Sequence, residues 1–298
     1  MHLLTPQHWN DYQLIDSGGF EKLERFGKYI IRRPEPQAVW KKNLSEKEWE
    51  IQADAHFKKE KNKNIVSDNN EKGEWLLKKH MPEQWFISYR YKTMELRFRL
   101  GLTSFKHVGI FPEQSENWNY IFDTVTGIPV ETPRVLNLFA YTGGASLAAK
   151  AAGADVSHVD SVKQVLNWSR QNMEASSLEN IRWVLEDALK FVKREVRREK
   201  TYEGIILDPP AYGRGPEGEK WILEEQISEL MDACSSLLEP KHSFCVLNLY
   251  SMGFSSLIAD NLIIDYFSSP ETREYGELYL PDNAGRKIPL SIFCRFRR

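Results

Sequence analysis

The sequence predicts an α/β protein in which helices cover both faces of a parallel sheet, with a smaller β-rich domain in front of it. From Pro133 onward, short apolar segments alternate with segments of helical length, as strands and crossover helices do in a parallel sheet. The preceding part is rich in aromatic residues interrupted by charges and shows little helical periodicity. We therefore expect a β-rich domain at 1–108 and an α/β domain at 109–298.

Three segments of the front domain predict strands. Residues 29–32 and 85–89 are short apolar and aromatic runs, and residues 94–100 alternate apolar and polar side chains, the period of a half-buried strand. Residues 58–74 form a polar, lysine-rich run that predicts a solvated loop or a hairpin tip. The front domain is thus expected to be a small twisted sheet or barrel.

The α/β domain is expected to contain five strands and four helices in alternation. The predicted strands are 135–139, 156–160, 181–185, 204–207 and 244–249. The predicted helices are 145–152, 162–175, 188–199 and 221–238.

Composition excludes several classes of protein. Hydrophobic residues make up 41% and charged residues 28% of the 298 residues, which is typical of a globular protein. The three cysteines are widely spaced, so neither a disulfide framework nor a metal site is expected. The N-terminus lacks a secretory pattern and no apolar run approaches the roughly 20 residues that span a membrane, so we expect a cytoplasmic protein without a membrane partner.

Ligands of open α/β sheets bind at the carboxyl ends of the strands, so residues that follow the strands are site candidates. The turn at 139–144 has paired glycines, which let the backbone approach a ligand closely, although a plain tight connection is the commoner role of such a pair. It has neither the GxGxxG spacing nor the lysine of a phosphate-binding loop, which disfavours a dinucleotide or a nucleoside triphosphate. Asp160 ends the next strand, where an acid can accept hydrogen bonds from ribose hydroxyls or cap the following helix. Asp187 follows the third strand, where it could meet an adenine amino group or cap a helix.

The strongest single motif is Asp208-Pro209-Pro210, directly after an apolar strand. Two prolines fix an extended backbone and remove two amide donors, so the carboxylate and nearby carbonyls are expected to face the cleft as acceptors. Acceptors suit an amine or ring nitrogen that attacks an electrophilic methyl group. Tyr212 could stack on a flipped-out base or pack beneath the loop.

At these residues the sequence resembles the class I S-adenosylmethionine-dependent methyltransferases, which have a Rossmann-like fold, and more narrowly the bacterial 23S ribosomal RNA methyltransferase group. The resemblance covers roughly residues 109–249 and is densest at 109–114 (GIFPEQ), 136–144 (LNLFAYTGG) and 207–215 (LDPPAYGRG). Residues 12–42 also resemble the small β-rich domain of those relatives.

The resemblance implies S-adenosylmethionine as the cofactor and a role for each matched residue. Asp160 and its neighbour Ser161 would hold the ribose, Asp187 would meet the adenine, and Asp208 would lie beside the methyl acceptor with Pro209, Pro210 and Tyr212. Glu113 and Gln114 would close over the cofactor. The methionine part would be lined by Asn137, Phe139, Tyr141, Thr142, Gly143 and Gly144.

One departure from the relatives bears on the target atom. Methylation of cytosine carbon 5 needs a cysteine nucleophile, which in relatives with that activity lies after the fifth strand or in the Asp-Pro-Pro loop. Here residues 248–253 and 208–213 contain none, and Cys245 and Cys234 are expected to be inert core residues. Methylation of a base nitrogen is therefore the expected reaction, and ribosomal RNA is the favoured substrate.

Basic residues interleaved with aromatics, among them Arg97-Phe98-Arg99, favour an RNA substrate, although a charge run is often only a solvated surface. The alternatives are methylation of a protein or small-molecule amine, and a non-catalytic RNA-binding protein with this fold. An NAD-dependent oxidoreductase would share the fold but is disfavoured by the missing GxGxxG.

Overall fold

The structure, a computed structural model, describes residues 1–7, 9–59, 72–250, 253–268 and 270–298. The middle of the predicted loop or hairpin tip at 58–74, and Ser251 and Met252 after the fifth predicted strand, lie outside the described residues. The strands of the front part are β1 (His2–Leu4), β2 (Tyr12–Gly18), β3 (Glu21–Phe26), β4 (Tyr29–Pro34), β5 (Ala55–Lys59), β6 (Gly73–Leu77), β7 (Gln84–Tyr91) and β8 (Met94–Gly101).

The remaining strands carry the α/β part of the molecule. They are β9 (Arg134–Leu138), β10 (Asp155–Asp160), β11 (Ile181–Leu185), β12 (Gly204–Leu207), β13 (Tyr212–Arg214), β14 (Lys220–Ile222), β15 (Phe244–Tyr250), β16 (Thr272–Pro281) and β17 (Lys287–Arg297). The helices are α1 (Glu46–Gln52), α2 (Ser115–Gly127), α3 (Gly144–Ala151), α4 (Lys163–Ala175), α5 (Ala188–Arg197), α6 (Leu223–Leu237) and α7 (Ser256–Tyr266), with a short 3₁₀ helix at Pro112–Gln114.

The largest sheet has eight strands in the order β1-β16-β17-β15-β12-β9-β10-β11. The five strands from β15 to β11 are parallel, whereas β17 pairs antiparallel with both β15 and β16. From β9 the chain continues to β10 and β11 on one side and then returns to β12 on the other. The strand order therefore reverses between β9 and β12, and this switch point is where such sheets bind ligands.

The expected α/β architecture is confirmed, and the five predicted strands match β9, β10, β11, β12 and β15 closely. The last predicted helix was wrong at its start, because Trp221 belongs to the β13–β14 hairpin and α6 begins at Leu223. The sheet is also mixed rather than purely parallel, since β16 and β17 extend it beyond the predicted strands.

The front part contains the expected small sheet, with the order β2-β3-β4-β5-β6, and a separate β7–β8 hairpin. β5 and β6 pair antiparallel on either side of the residues that lie outside the description. One hydrophobic core joins the hairpin residues Leu96 and Phe98 to Trp118 of α2 and Leu147 of α3, and a second lies under α5, α6 and α7. The division of the chain at residue 108 stays a prediction.

Candidate functional site

The register of the parallel strands brings their carboxyl ends into one line. Leu138 of β9 pairs with Leu207 of β12, and Leu207 pairs with Leu247 of β15. The next residues along these strands, Asp208 and Asn248, therefore lie side by side at the edge of the sheet. On the other side of β9, Asp160 pairs with the end of β11.

A cleft opens at this edge, between the sheet and the segment that joins the front part to α2. Among the residues predicted for the site, Gln114, Asn137, Phe139, Tyr141, Thr142, Gly143, Gly144 and Asp208 line it. The other lining residues are Phe98, Ile110, Phe111, Asn117, Trp118, Ile121, Ala140, Ala145, Ile206, Leu207, Val246 and Asn248. The lining thus contains no lysine, arginine or histidine among the described residues, so the cleft suits a ligand without phosphate.

The turn between β9 and α3 has an unusual backbone. Phe139, Tyr141 and Gly143 all have positive φ, at 54°, 49° and 95°. A Cβ on Gly143 would lie 3.4 Å from the Ser169 side chain, which is an ordinary contact distance. A substitution at Gly143 would therefore strain the turn because of the positive φ, not because of a clash. A Cβ on Gly144 would lie 2.5 Å from the Trp118 ring, which makes Gly144 the position of close packing.

A chain of buried polar side chains supports this turn from behind. Asn137 donates to the Ser146 hydroxyl at 2.9 Å, and Ser146 lies 2.9 Å from Nδ1 of His158. Ser169 donates to the Tyr141 carbonyl at 2.6 Å and lies 3.4 Å from the other ring nitrogen of His158. Burial lowers the pKa of His158 to about 3, so the ring is neutral at physiological pH. The sequence offered no signal for this network.

Asn172 on α4 also supports the turn. Its amide donates to the Thr142 carbonyl at 2.9 Å, and its oxygen accepts from the Arg99 backbone N–H at 2.8 Å. Asn172 is not a surface residue, because the β7–β8 hairpin covers this face of α4 and buries the side chain completely.

We expect Asn172→Ala to lower the free energy of unfolding by about 2–4 kcal/mol, because a buried N–H and a buried carbonyl each lose their partner. Denaturation in urea measures this change. Asn167→Ala, at an exposed position on the same helix, is the matched control and should leave stability within about 0.5 kcal/mol. Equal effects of the two variants would contradict this role of Asn172.

Asp160 holds the turn and the start of the next helix together. Its two carboxylate oxygens accept from the backbone N–H groups of Tyr141 and Val162, each at 2.9 Å. Burial raises the pKa of Asp160, and these backbone hydrogen bonds oppose the shift. Each oxygen can accept a further hydrogen bond. Beside it, two apolar side chains are partly exposed: Val162, the N-cap of α4, at 45%, and Leu185, the last residue of the edge strand β11, at 43%.

Asp187 caps α5, because its side chain accepts from the Lys190 backbone N–H at 2.9 Å. The neighbouring Glu186 pairs with Arg194 at 2.6 Å. Ser161 lies directly after Asp160 and is half-buried. Neither Asp187 nor Ser161 is among the residues that line the cleft.

The carboxyl group of Asp208 is paired with an amide. Nδ2 of Asn248 donates to Oδ1 of Asp208 at 2.7 Å. Burial raises the pKa of Asp208 to about 6, and the hydrogen bond from Asn248 opposes the shift. The carbonyl of Pro210 accepts a hydrogen bond from the Trp221 indole at 2.7 Å. This carbonyl was expected to face the cleft as a free acceptor, but the protein itself occupies it. Tyr212 lies at the start of the following hairpin and is 41% exposed.

Glu113 does not line the cleft, although its neighbour Gln114 does. It is buried towards the charged residues Lys22, Glu24 and Arg33 of the front part, and its burial raises the pKa of the carboxyl to about 7. The amide of Gln114 donates to Ser291 at 3.2 Å and its oxygen accepts from Asn117 at 3.0 Å.

All three cysteines of the chain are completely buried and none lines the cleft. Cys234, Cys245 and Cys294 belong to the core under α5, α6 and α7. Burial raises the pKa of each thiol, that of Cys294 to about 12, so none is a thiolate at neutral pH. Among the described residues there is also no cluster of acidic, histidine and cysteine side chains that could hold a metal ion, and no helix long and apolar enough to cross a membrane.

The chain resembles known proteins in both sequence and structure. Residues 56–258 match the family described as S-adenosylmethionine-dependent methyltransferase. The crystal structure of a SAM-dependent methyltransferase from Agrobacterium tumefaciens is 36% identical, covers 100% of this chain and 93% of its own, and superposes with a TM-score of 0.89.

Curated relatives match a shorter stretch. Ribosomal RNA large subunit methyltransferase K/L of Shewanella frigidimarina is 29% identical over 148 residues, which are 48% of this chain and 20% of that protein. Ribosomal RNA large subunit methyltransferase I of Escherichia coli is 33% identical over 108 residues, 35% of this chain and 24% of that protein. The chain thus matches only a fifth to a quarter of these two relatives' length.

Proposed function

Because the chain belongs to the S-adenosylmethionine-dependent methyltransferase family, we propose that it transfers a methyl group to a base nitrogen of ribosomal RNA in the cytoplasm. The observation that carries the choice of nitrogen is the Asp208–Asn248 pair, which faces a cleft without any thiol. The curated relatives named above favour ribosomal RNA.

The residues at the switch point fit S-adenosylmethionine. The turn at 139–144, with Asn137 beneath it, would hold the methionine part, and Asp160 has free lone pairs for the ribose hydroxyls. The exposed apolar side chains of Val162 and Leu185 would contact the adenine ring. Gln114 lines the cleft, whereas Asp160, Glu113, Ser161 and Asp187 lie outside its lining. Contacts with these four residues stay proposals that require the ligand to reach beyond the lining.

When bound, S-adenosylmethionine supplies an electrophilic methyl group. The chain's own contribution is to hold the nucleophilic nitrogen in line with that group, since orientation removes much of the entropic barrier. The attacking nitrogen gains positive charge, which the Asp208 carboxylate stabilises from a fixed position in a half-buried site. Pro209 and Pro210 fix the backbone that carries this carboxylate, and the exposed Tyr212, four residues after Asp208, would stack on a base.

A test for the nitrogen proposal is covalent trapping. A carbon-5 enzyme forms a bond between its cysteine and the base, and RNA that contains 5-fluorocytosine makes this adduct permanent. We expect no adduct between this protein and such RNA, together with transfer of labelled methyl groups to unmodified large-subunit ribosomal RNA. A cysteine-dependent adduct would end the nitrogen proposal, and label in protein or small molecules alone would end the RNA proposal.

The exposed face of the β7–β8 hairpin supports an RNA substrate. Arg97 stacks on Phe86 at 4.7 Å and Arg99 on Trp168 at 4.5 Å, and no described residue forms an ion pair with either guanidinium. Asn172 joins this face to the cleft, since it binds both the Arg99 backbone and the turn. Unpaired arginines beside aromatic rings are typical of surfaces that contact phosphates and bases.

We expect the double variant Arg97→Ala/Arg99→Ala to bind ribosomal RNA roughly tenfold more weakly, and the slope of log affinity against log salt to fall by about 2. Filter binding over a range of salt concentrations measures both quantities. Arg90→Ala on the same hairpin is the matched control, because Glu95 already pairs with Arg90 at 3.2 Å. An unchanged salt slope in the double variant would remove this face from the RNA contact.

A further inference from the structure

Asn248 has a buried oxygen without a partner. The residue lines the cleft and is only 5% exposed. Its Nδ2 donates a hydrogen bond to Asp208 at 2.7 Å. Its Oδ1 accepts no hydrogen bond from any described residue. A buried carbonyl oxygen without a donor is unfavourable, and native structures rarely keep one without a reason. Because Asn248 lines the cleft, a bound molecule can supply this donor.

Asp208 provides a second acceptor beside it. Asp208 lines the cleft and its Oδ1 takes the bond from Asn248, so that Oδ2 remains available as an acceptor. Two neighbouring acceptors complement a nitrogen that bears two hydrogens. The nitrogen of an exocyclic amino group bears two hydrogens. A ring nitrogen whose lone pair is free for attack bears no hydrogen that could bind these acceptors.

We propose that Asn248 is a specificity-determining residue, which together with Asp208 selects an exocyclic amino group over a ring nitrogen and limits the reaction to one methyl group. This inference rests on the nitrogen methylation proposed above.

The chemistry of the transfer explains the limit. The lone pair of the amino nitrogen forms the bond to the methyl carbon while the bond from that carbon to sulfur breaks, and the electron pair of the broken bond stays on sulfur. The nitrogen, now positively charged, loses one of its two protons to the Asp208 carboxylate or to water. The product keeps a single N–H. A second transfer would turn the new methyl group towards Oδ1 of Asn248 or Oδ2 of Asp208 and leave that acceptor unpaired.

Two variants distinguish the effect of losing the acceptor oxygen of Asn248 from the effect of changed packing. Asn248→Leu keeps the size of the side chain and removes both polar atoms. Asn248→Asp keeps an acceptor and places a second carboxylate at hydrogen-bond distance from Asp208, where the two share one proton. We expect Asn248→Leu to lower single-turnover methyl transfer by about tenfold to a hundredfold. Asn248→Asp should retain more activity, with the acid limb of its pH profile moved to higher pH.

Calorimetry with S-adenosylhomocysteine and mass spectrometry of the modified nucleoside complete the experiment. We expect Asn248→Leu to bind S-adenosylhomocysteine with unchanged affinity. We expect the product of the wild type to be a base with a monomethylated amino group. A parallel loss of that affinity would overturn the inference, because Oδ1 would then serve the ammonium group of the cofactor. A ring-nitrogen or dimethylated product would overturn it while leaving nitrogen methylation intact. A methylated carbon would overturn both proposals.

Discussion

Asp208→Asn is expected to lower the single-turnover rate of methyl transfer by about a hundredfold to a thousandfold, the effect of losing one preorganised electrostatic group. The variant keeps the size of the side chain and can still accept the hydrogen bond from Asn248. It removes the charge that is proposed to stabilise the developing positive nitrogen. Affinity for S-adenosylhomocysteine, measured by calorimetry, should change by less than about threefold, because that ligand develops no charge at this position.

The pH dependence gives an independent check of the same carboxylate. Burial raises the pKa of Asp208 to about 6, so the rate should fall about tenfold per pH unit below that value and be constant above pH 7. Asp208→Asn should lack this acid limb.

The raised pKa also means that the ionised group costs stability above pH 6, so the variant should be at least as stable as the wild type at pH 8. Full activity in Asp208→Asn would exclude Asp208 from the chemistry.

Asp160→Ala is expected to weaken S-adenosylhomocysteine binding by about tenfold to a hundredfold, since a charged hydrogen-bond partner contributes about 1.5–3 kcal/mol. The variant loses the proposed acceptor for the ribose hydroxyls and also the two backbone bonds that order the turn. Asp155→Ala, an exposed aspartate at the start of the same strand, is the matched control and should bind normally.

A ligand analogue without ribose hydroxyls separates these two contributions. The wild type should bind the deoxy analogue more weakly than S-adenosylhomocysteine, whereas Asp160→Ala should bind both alike. If the variant still discriminated between the two ligands as the wild type does, Asp160 would act only on the turn.

The strands of the site could be predicted from the sequence because each is a short apolar run followed by residues that cannot continue it. Asp160 ends β10 and Asp208 directly follows β12, and both lie at the carboxyl edge of the sheet as expected. The glycine pair was also found, but the packing that requires Gly144 was not. Gly144 packs against Trp118 from α2, a contact that no local pattern encodes.

The residues that sequence reasoning missed depend on contacts between distant segments. Asn172 is buried only because the β7–β8 hairpin, more than 70 positions earlier in the chain, covers it. His158 looks like an isolated polar residue in an apolar strand until Ser146 and Ser169 are placed against it. The unpaired oxygen of Asn248 becomes visible only when the register of β12 and β15 sets it beside Asp208.

The most direct test of the central claim is mass-spectrometric profiling of large-subunit ribosomal RNA nucleosides from a strain that lacks this protein. We predict that one N-methylated nucleoside disappears, and that it returns when the wild-type chain is supplied but not when Asp208→Asn is supplied. An unchanged set of N-methylated nucleosides, or the loss of 5-methylcytidine instead, would contradict the assignment of this chain as a nitrogen methyltransferase of ribosomal RNA.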